Sequence, residues 1–189
     1  VLAIAAAQSF VITSLVYRKV HIIYAHLSPF LSKFQRKKAT LGAEIEVATN
    51  AEVIVVGMGR VGLGAYKSLN SEDSRVVWGV EVDKNRVEMH KAKGIKNVIA
   101  GDADDNEFWE AQDLNKVRLV MLALPCIDEM LNIMAQLRLS NYSGKIAAVA
   151  QHEDERLLLE SHGVDVAFNY YLEVGNGFAE ESRHFLSDV

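Results

Sequence analysis

Residues 52–62 read EVIVVGMGRVG, and this stretch decides the fold. The β-branched run Glu52–Val56 ends at a glycine, which predicts a short, buried parallel strand. The G-x-G-x-x-G pattern of residues 57–62 follows this strand directly, and helix-forming residues follow the glycines. A strand, a glycine-rich turn and a helix in this order are typical of a loop that binds phosphate.

The three glycines of the loop and the first residues of the helix have predicted roles. Gly57 allows the tight turn, Gly59 lets the backbone approach a phosphate, and Gly62 lets the helix pack against the strand. Arg60 and Val61 begin the helix, whose unpaired N–H groups and positive dipole end favour an anion. The alternative is that the glycines serve only a tight turn. The strand and helix on either side of the loop favour a nucleotide site.

An acidic partner for this loop is expected at the end of the second strand. Glu81 lies there, nineteen residues after Gly62, and Asp83 follows two positions later. A carboxylate at this place accepts hydrogen bonds from ribose hydroxyls and repels a 2′-phosphate, which disfavours NADP.

A second loop is expected to border the adenosine side of the ligand. Gly101, Asp102 and Ala103 follow the third predicted strand, and ligands lie outside the carboxyl ends of the strands in such sheets. Asp102 has two open interpretations, a hydrogen bond to ribose or adenine and an N-cap or turn residue of the next helix. Leu124, after the fourth strand, is predicted to lie on the far side of the crevice.

Short strands and amphipathic helices alternate from Ala51 to the end of the chain. Six such pairs predict one α/β domain over residues 51–189, Rossmann-like and doubly wound, with a mostly parallel six-stranded sheet. The predicted strands cover 52–56, 75–82, 97–100, 117–124, 145–150 and 164–168. The predicted helices cover 60–70, 84–93, 104–112, 127–139, 153–161 and 177–186.

The composition excludes several classes of protein. The chain has 189 residues, of which 50% are hydrophobic, and one cysteine, so it is neither disordered nor a disulfide scaffold. A net charge of -5 and a pI near 5.7 argue against a nucleic-acid partner. The six histidines show no zinc-site spacing, so we expect no metal. We expect Cys126 to be a small buried residue.

The N-terminal residues differ from the rest of the chain. Residues 1–17 carry no charged side chain, and basic residues follow at Arg18, Lys19 and in the segment 33–38. We expect residues 1–27 to be the end of a transmembrane helix and residues 28–50 a basic linker, with the following domain at the cytoplasmic face. A helix buried against the domain or a partner is the alternative. Because the chain begins with valine, we also expect a fragment.

Several motifs together resemble a known family. The runs VIVVGMGRVG, GVEVD, GDA, LALP and KIAAVAQHEDERLLLESHGVDVAF are similar to the RCK (TrkA-N, or KTN) domains of potassium channels and transporters. The cytoplasmic domain of Kef-type potassium-efflux and cation/proton antiporters is the most similar group. The resemblance implies a nucleotide-sensing domain that controls cation flux through an attached membrane domain. It also implies a homodimer formed through the crossover segment Tyr170–Arg183, within about residues 164–186.

The resemblance also assigns ligands and site residues. It implies AMP or another adenine nucleotide, with NAD(H) as the alternative. Gly57, Gly59, Arg60, Val61 and Gly62 would hold phosphate, Glu81 the ribose, and Asp102 with Ala103 the adenosine side. An NAD-dependent oxidoreductase fragment is the rival interpretation. Hydride transfer needs an acid or base in a substrate pocket, usually supplied by a second domain, and we predict no catalytic residue.

Overall fold

The computed structural model describes residues 45–72 and 76–186, and this part of the chain holds six strands and six α-helices. The strands are β1 (Val53–Val56), β2 (Val77–Glu81), β3 (Val98–Ala100), β4 (Leu119–Leu122), β5 (Lys145–Ala150) and β6 (Val166–Asn169). The helices are α1 (Arg60–Glu72), α2 (Lys84–Ala92), α3 (Asn106–Glu110), α4 (Ile127–Leu139), α5 (Glu153–Ser161) and α6 (Tyr170–Ser182), followed by a 3₁₀ turn (Arg183–Leu186).

The strands form one sheet in the order β3-β2-β1-β4-β5-β6, and every neighbouring pair is parallel. The order reverses direction between β1 and β4, which is the topological switch point of a doubly wound fold. The predicted Rossmann-like six-stranded sheet is confirmed. The predicted hydrophobic helix at the N-terminus lies outside the described residues.

Two apolar cores cover the faces of this sheet, and β1 contributes to both because its four residues are all buried. Val53 and Val55 pack with Tyr66 of α1 and Val87 of α2 on one face. On the other face, the remaining β1 residues pack with buried side chains of α3, α4 and α5. Phe108 and Trp109 of α3 are buried in this second core.

A segment before β1 belongs to the same compact unit, which begins at Ile45. The buried side chain of Gln112 forms two hydrogen bonds with the backbone of this segment. It accepts a hydrogen bond from Ala48 N (2.9 Å) and donates one to Glu46 O (3.2 Å). Residues 45–51 are therefore bound to the domain core through specific backbone contacts.

The last helix lies elsewhere than predicted. It was expected over residues 177–186, but α6 begins at Tyr170, immediately after β6. Asn169 caps it, because its Oδ1 accepts a hydrogen bond from Leu172 N (3.2 Å). The glycines at 175 and 177 weaken the helical pattern in the sequence, whereas the cap starts the helix despite them. Within residues 45–72 and 76–186, no helix has the length and apolar character needed to cross a bilayer.

Candidate functional site

The glycine loop connects β1 to α1 at the carboxyl edge of the sheet. Gly57 has a φ of +87°, a left-handed conformation that favours glycine. Its N–H donates to Val80 O of β2 (2.9 Å), and the N–H of Ala123, just after β4, donates to Val56 O (2.9 Å). The loop therefore starts at the point where the three central strands end.

A methyl group built on each glycine shows why the loop needs them. At Gly57 it would lie 2.7 Å from both Ala123 O and a methyl carbon of Leu124, and at Gly62 it would lie 2.0 Å from Gly57 O. At Gly59 its nearest described neighbour is a guanidinium nitrogen of Arg86 at 3.7 Å. Gly57 and Gly62 are thus required by close packing, whereas Gly59 borders open space in which a ligand can approach the backbone.

The first turn of α1 faces this open space. Leu63 N donates to Gly59 O (2.9 Å), so the N–H groups of Arg60, Val61 and Gly62 precede the first hydrogen bond of the helix. No acidic side chain lies in this first turn, which leaves the positive end of the helix dipole uncompensated by the helix itself. This arrangement suits an anion.

Arg60 is exposed and lies near the beginning of α6. The pKa of the Tyr170 phenol is raised, chiefly by its hydrogen bond with Tyr171 and then by desolvation, while the positive charge of Arg60 acts in the opposite direction. The guanidinium of Arg60 therefore lies within electrostatic reach of the segment that follows the last strand.

Glu81 ends β2 beside the glycine loop and is only 5% exposed. Its two oxygens have different partners. One accepts a hydrogen bond from Asp83 N (3.3 Å), and the other lies 3.3 Å from a guanidinium nitrogen of Arg86. Asp83 itself is the N-cap of α2, because its Oδ1 accepts from Asn85 N (2.8 Å). The two acidic residues therefore have different local roles.

Arg86 is a site residue that the sequence reasoning missed. Its guanidinium pairs with Glu81 and also lies next to the position of Gly59, so it connects the acidic residue to the glycine loop. Its side chain is 45% exposed, which leaves part of the cation open to solvent. The sequence feature that could have identified Arg86 is its position three residues after the N-cap Asp83, in the first turn of α2 and close to the end of β2.

The loop after β3 lies beside Glu81. Gly101 N donates to Glu81 O (3.1 Å), and a methyl group on Gly101 would overlap the ring of Phe108 at 2.3 Å. Ala103 is buried, and its carbonyl accepts from the indole N–H of Trp109 (2.7 Å). The structure thus brings this loop to the same edge as the glycine loop.

Asp102 is exposed at the outer side of that loop. Its Oδ1 accepts from Asp104 N (3.2 Å), so it shapes a turn, whereas Asp105 is the N-cap of α3 and accepts from Glu107 N (3.0 Å). Asp102 is therefore a turn residue and not the N-cap of α3, and its hydrogen bond to ribose or adenine stays a prediction.

Negative charge accumulates where this loop meets α4. The pKa of Glu129 is raised, first by burial and then by the charges of Asp104 and Asp102. The pKa of Asp104 is also raised, by burial and by Asp102 and Asp105. The loop after β3 is therefore bordered by acidic groups, which suits a hydroxyl or amino group better than a further phosphate.

Leu124 and Cys126 follow β4 at the opposite side of the loop. Leu124 is half-buried and contacts the core, and its methyl carbon limits the space at Gly57. Cys126 is exposed, so the expectation of a buried thiol is wrong. The reason is that β4 ends at Leu122, which places Cys126 outside the sheet as the residue before α4.

An apolar cleft of about 330 Å³ lies next to the site. Residues of the first two turns of α1 form one wall, and β4, β5 and β6 form the other. Val61, Ala123, Val149 and Phe168 are among its lining residues, and Phe168 is 47% exposed.

No group of histidine, cysteine and carboxylate side chains suited to a metal ion occurs in the described part of the chain. The sequence-predicted residues that the fold brings together are Gly57, Gly59, Arg60, Val61, Gly62, Glu81, Asp83, Gly101, Asp102, Ala103 and Leu124. They come from the ends of β1, β2, β3 and β4, on both sides of the switch point.

Comparison with protein families identifies the type of domain that carries this site. The family model of the TrkA-N domain matches residues 53–170, from the start of β1 to the start of α6. The chain belongs to the TrkA-N family. This result confirms the resemblance seen in the sequence motifs and covers every residue placed at the site.

One relative of this TrkA-N domain is a longer protein. The chain is 28% identical over 152 residues to a protein described as the cation/proton antiporter YbaL of Escherichia coli (strain K12). That match covers 76% of this chain and 27% of the antiporter, so the chain spans about a quarter of its relative.

Solved structures share the fold. The Kef C-terminal domain of Shewanella denitrificans, described as AMP-bound, has 20% identity and a TM-score of 0.60, and the match covers 72% of this chain and 82% of that one. The GsuK channel described as bound to NAD has 15% identity and a TM-score of 0.56, with 86% of this chain and 29% of that chain covered.

Proposed function

We propose that this TrkA-N domain is a regulatory module that senses a nucleotide and controls potassium or cation flux through an attached membrane domain. One observation carries the proposal. An open phosphate loop at the start of α1 lies beside the buried carboxylate of Glu81, at the switch point of a doubly wound sheet. In such sheets nucleotides bind at this place.

The ligand proposed is AMP or another adenine nucleotide, with NAD(H) as the alternative. The backbone of residues 57–62 and the Arg60 side chain would hold phosphate. Glu81, oriented by Asp83, would accept the ribose hydroxyls. Gly101, Asp102 and Ala103 would border the adenosine side, and Leu124 would close the crevice. AMP, ADP and NAD are the ligands described for structures that share this fold, which supports the choice.

A regulatory role without catalysis is part of the proposal. The site offers backbone donors, one paired carboxylate and apolar walls, and none of its described side chains is placed as an acid or base beside a substrate pocket. The nucleotide then shifts the equilibrium between two arrangements of the domain, because its affinity for the two arrangements differs. An NAD-dependent oxidoreductase fragment is the outcome that a turnover assay would reveal.

Coupling to the membrane is proposed through the segment before β1. Residues 1–27 would be the end of a transmembrane helix, residues 28–50 a basic linker, and residues 51–189 the domain at the cytoplasmic face. The relative described as an antiporter supports this arrangement, because it is much longer than the matched region. The backbone contacts of residues 45–51 with Gln112 would transmit movement of the domain to the linker.

Pairing of two domains is proposed through residues 164–186. Helix α6 has no buried residue, and Tyr171, Leu172, Val174 and Phe178 on it are more than half exposed. The apolar cleft over β4–β6 is large enough to receive such side chains from a second copy. We expect Phe178→Asp to convert a dimer to a monomer by light scattering. A wild-type protein that is monomeric at high micromolar concentration would contradict pairing.

The sensing function is tested by thermal stabilisation and turnover measured together. AMP, ADP or NAD should raise the unfolding temperature in a saturable way, by mass action, without consumption of NADH. Steady oxidation of NADH with a small carbonyl substrate would instead support the oxidoreductase. In the full-length protein, Gly59→Asp should remove the nucleotide dependence of cation flux. Flux that still responds to nucleotide in this variant would contradict the proposed control.

A further inference from the structure

A buried histidine in α2 contacts the glycine loop from behind. His90 is 3% exposed, and its Nε2 lies 2.9 Å from the carbonyl oxygen of Met58, the second residue of the loop. A carbonyl oxygen can only accept a hydrogen bond, so Nε2 carries the hydrogen and donates it. The bond joins residues 32 positions apart and connects α2 directly to the loop.

Packing alone does not account for a histidine at this position. Within the part of the chain that the structure describes, Nδ1 of the ring is buried without a hydrogen-bond partner, which costs free energy. Val87, one turn earlier on the same helix, is also buried and is apolar. An apolar side chain at position 90 would avoid that cost, but it would leave the Met58 carbonyl without this donor.

The bond has a geometric consequence for the site. The carbonyl of Met58 and the N–H of Gly59 belong to one planar peptide unit, and this peptide bond is trans, as are all those of the described residues. In a trans peptide the two groups point in opposite directions, so a fixed carbonyl also fixes the direction of the N–H. The N–H of Gly59 therefore points away from His90, and the space beside the α-carbon of Gly59 is open.

We propose that His90 is a positioning residue for nucleotide binding, which holds the Met58–Gly59 peptide in the orientation that presents its N–H to phosphate. This inference rests on the proposed function. Arg86 lies one turn before His90 on α2 and reaches the same loop from the side of Glu81. Two successive turns of α2 thus support the loop, one through a charged side chain and one through a buried hydrogen bond.

Two variants of similar shape separate the hydrogen bond from packing. His90→Gln keeps an N–H donor near the place of Nε2, whereas His90→Met has a side chain of similar length and no donor. We expect His90→Met to weaken AMP binding between about twofold and tenfold, as the loss of one net hydrogen bond predicts, and His90→Gln to restore part of the loss. Ile133→Val, in the core on the other face, should leave AMP affinity unchanged.

Calorimetry with AMP gives outcomes that can be told apart. If the wild-type protein binds AMP and both His90→Met and His90→Gln bind it as tightly as the wild-type protein does, the role of His90 is refuted while the proposed function stands. If the wild-type protein binds none of AMP, ADP and NAD, the proposed function fails and this inference fails with it.

NMR of the His90 ring in the wild-type protein provides a measurement that needs no variant. The ¹⁵N signals of the ring should show the hydrogen on Nε2 and should shift when AMP saturates the site, and unchanged signals would also refute the role.

Discussion

Replacement of Gly62 by alanine tests the packing of the glycine loop. The new methyl carbon would lie 2.0 Å from Gly57 O and 3.1 Å from the Ala123 methyl carbon. A non-bonded carbon and oxygen need about 3.3 Å, so α1 and the loop must separate by more than about 1 Å. The Gly57 carbonyl has little freedom to move, because Gly57 N is hydrogen-bonded to β2 and its α-carbon packs on the residues after β4.

The expected loss is comparable to overpacking of a core. We expect Gly62→Ala to lower the free energy of unfolding by about 2–3 kcal/mol, measured by urea denaturation. Gly64→Ala is the matched control on the same helix, since its methyl group would meet no described atom within 4 Å. That control should gain about 0.5–1 kcal/mol from helix propensity. The reasoning is refuted if Gly62→Ala is as stable as the wild-type protein, or if both variants lose stability equally.

Three further predictions concern the charged groups of the site. Glu81→Ala should weaken AMP binding by about 1–3 kcal/mol, measured by calorimetry, because hydrogen bonds from the ribose to a charged group are lost. Arg86→Ala should lower the free energy of unfolding, measured in urea, by about 1 kcal/mol, because Glu81 stays buried without its cation. Arg86→Lys should recover part of this loss, and an equal loss in the Ala and Lys variants would contradict a charge effect. Glu129→Gln should stabilise the domain at pH 7 by at most about 0.5 kcal/mol.

The pH dependence of the Glu129 variant follows from the direction of its shift. A raised pKa in the folded state means that the folded protein binds the proton more tightly than the unfolded chain does. The stabilising contribution of this group is present below its unfolded pKa and is lost as the pH rises through the folded value. The gain from Glu129→Gln should therefore disappear near pH 4, where the carboxyl group is largely protonated in both states. A loss of stability in Glu129→Gln at pH 7 would contradict the account.

The glycine loop and Glu81 lie at the predicted edge of the sheet because their positions depend on a local pattern, and their roles in binding stay predictions. The glycine loop and Glu81 are defined by a strand, a turn and a fixed spacing, and backbone geometry then requires them where they are. Arg86 and His90 were missed because their partners are brought near only by packing of α2 against the loop. The mixed charged and apolar sequence of α2 does not indicate that this helix contacts the glycine loop.

Errors at the element ends have the same physical origin. Cys126 was expected to be buried because a cysteine is most often a small buried residue, whereas β4 ends at Leu122 and leaves Cys126 exposed outside the sheet. Helix α6 begins at Tyr170 because of one side-chain cap, although two glycines interrupt its pattern. Caps and strand ends depend on single hydrogen bonds, and sequence periodicity does not reveal them.

Calorimetric titration with AMP, ADP and NAD tests the central claim most directly. The comparison uses the wild-type domain and two variants with the same charge change, Gly59→Asp in the open loop and Gly64→Asp on the exposed side of α1. We expect saturable binding of at least one of these nucleotides to the wild-type protein and to Gly64→Asp, and none to Gly59→Asp. Equal binding to all three proteins, or no binding of any of these nucleotides to the wild-type protein, would contradict a nucleotide site at this loop.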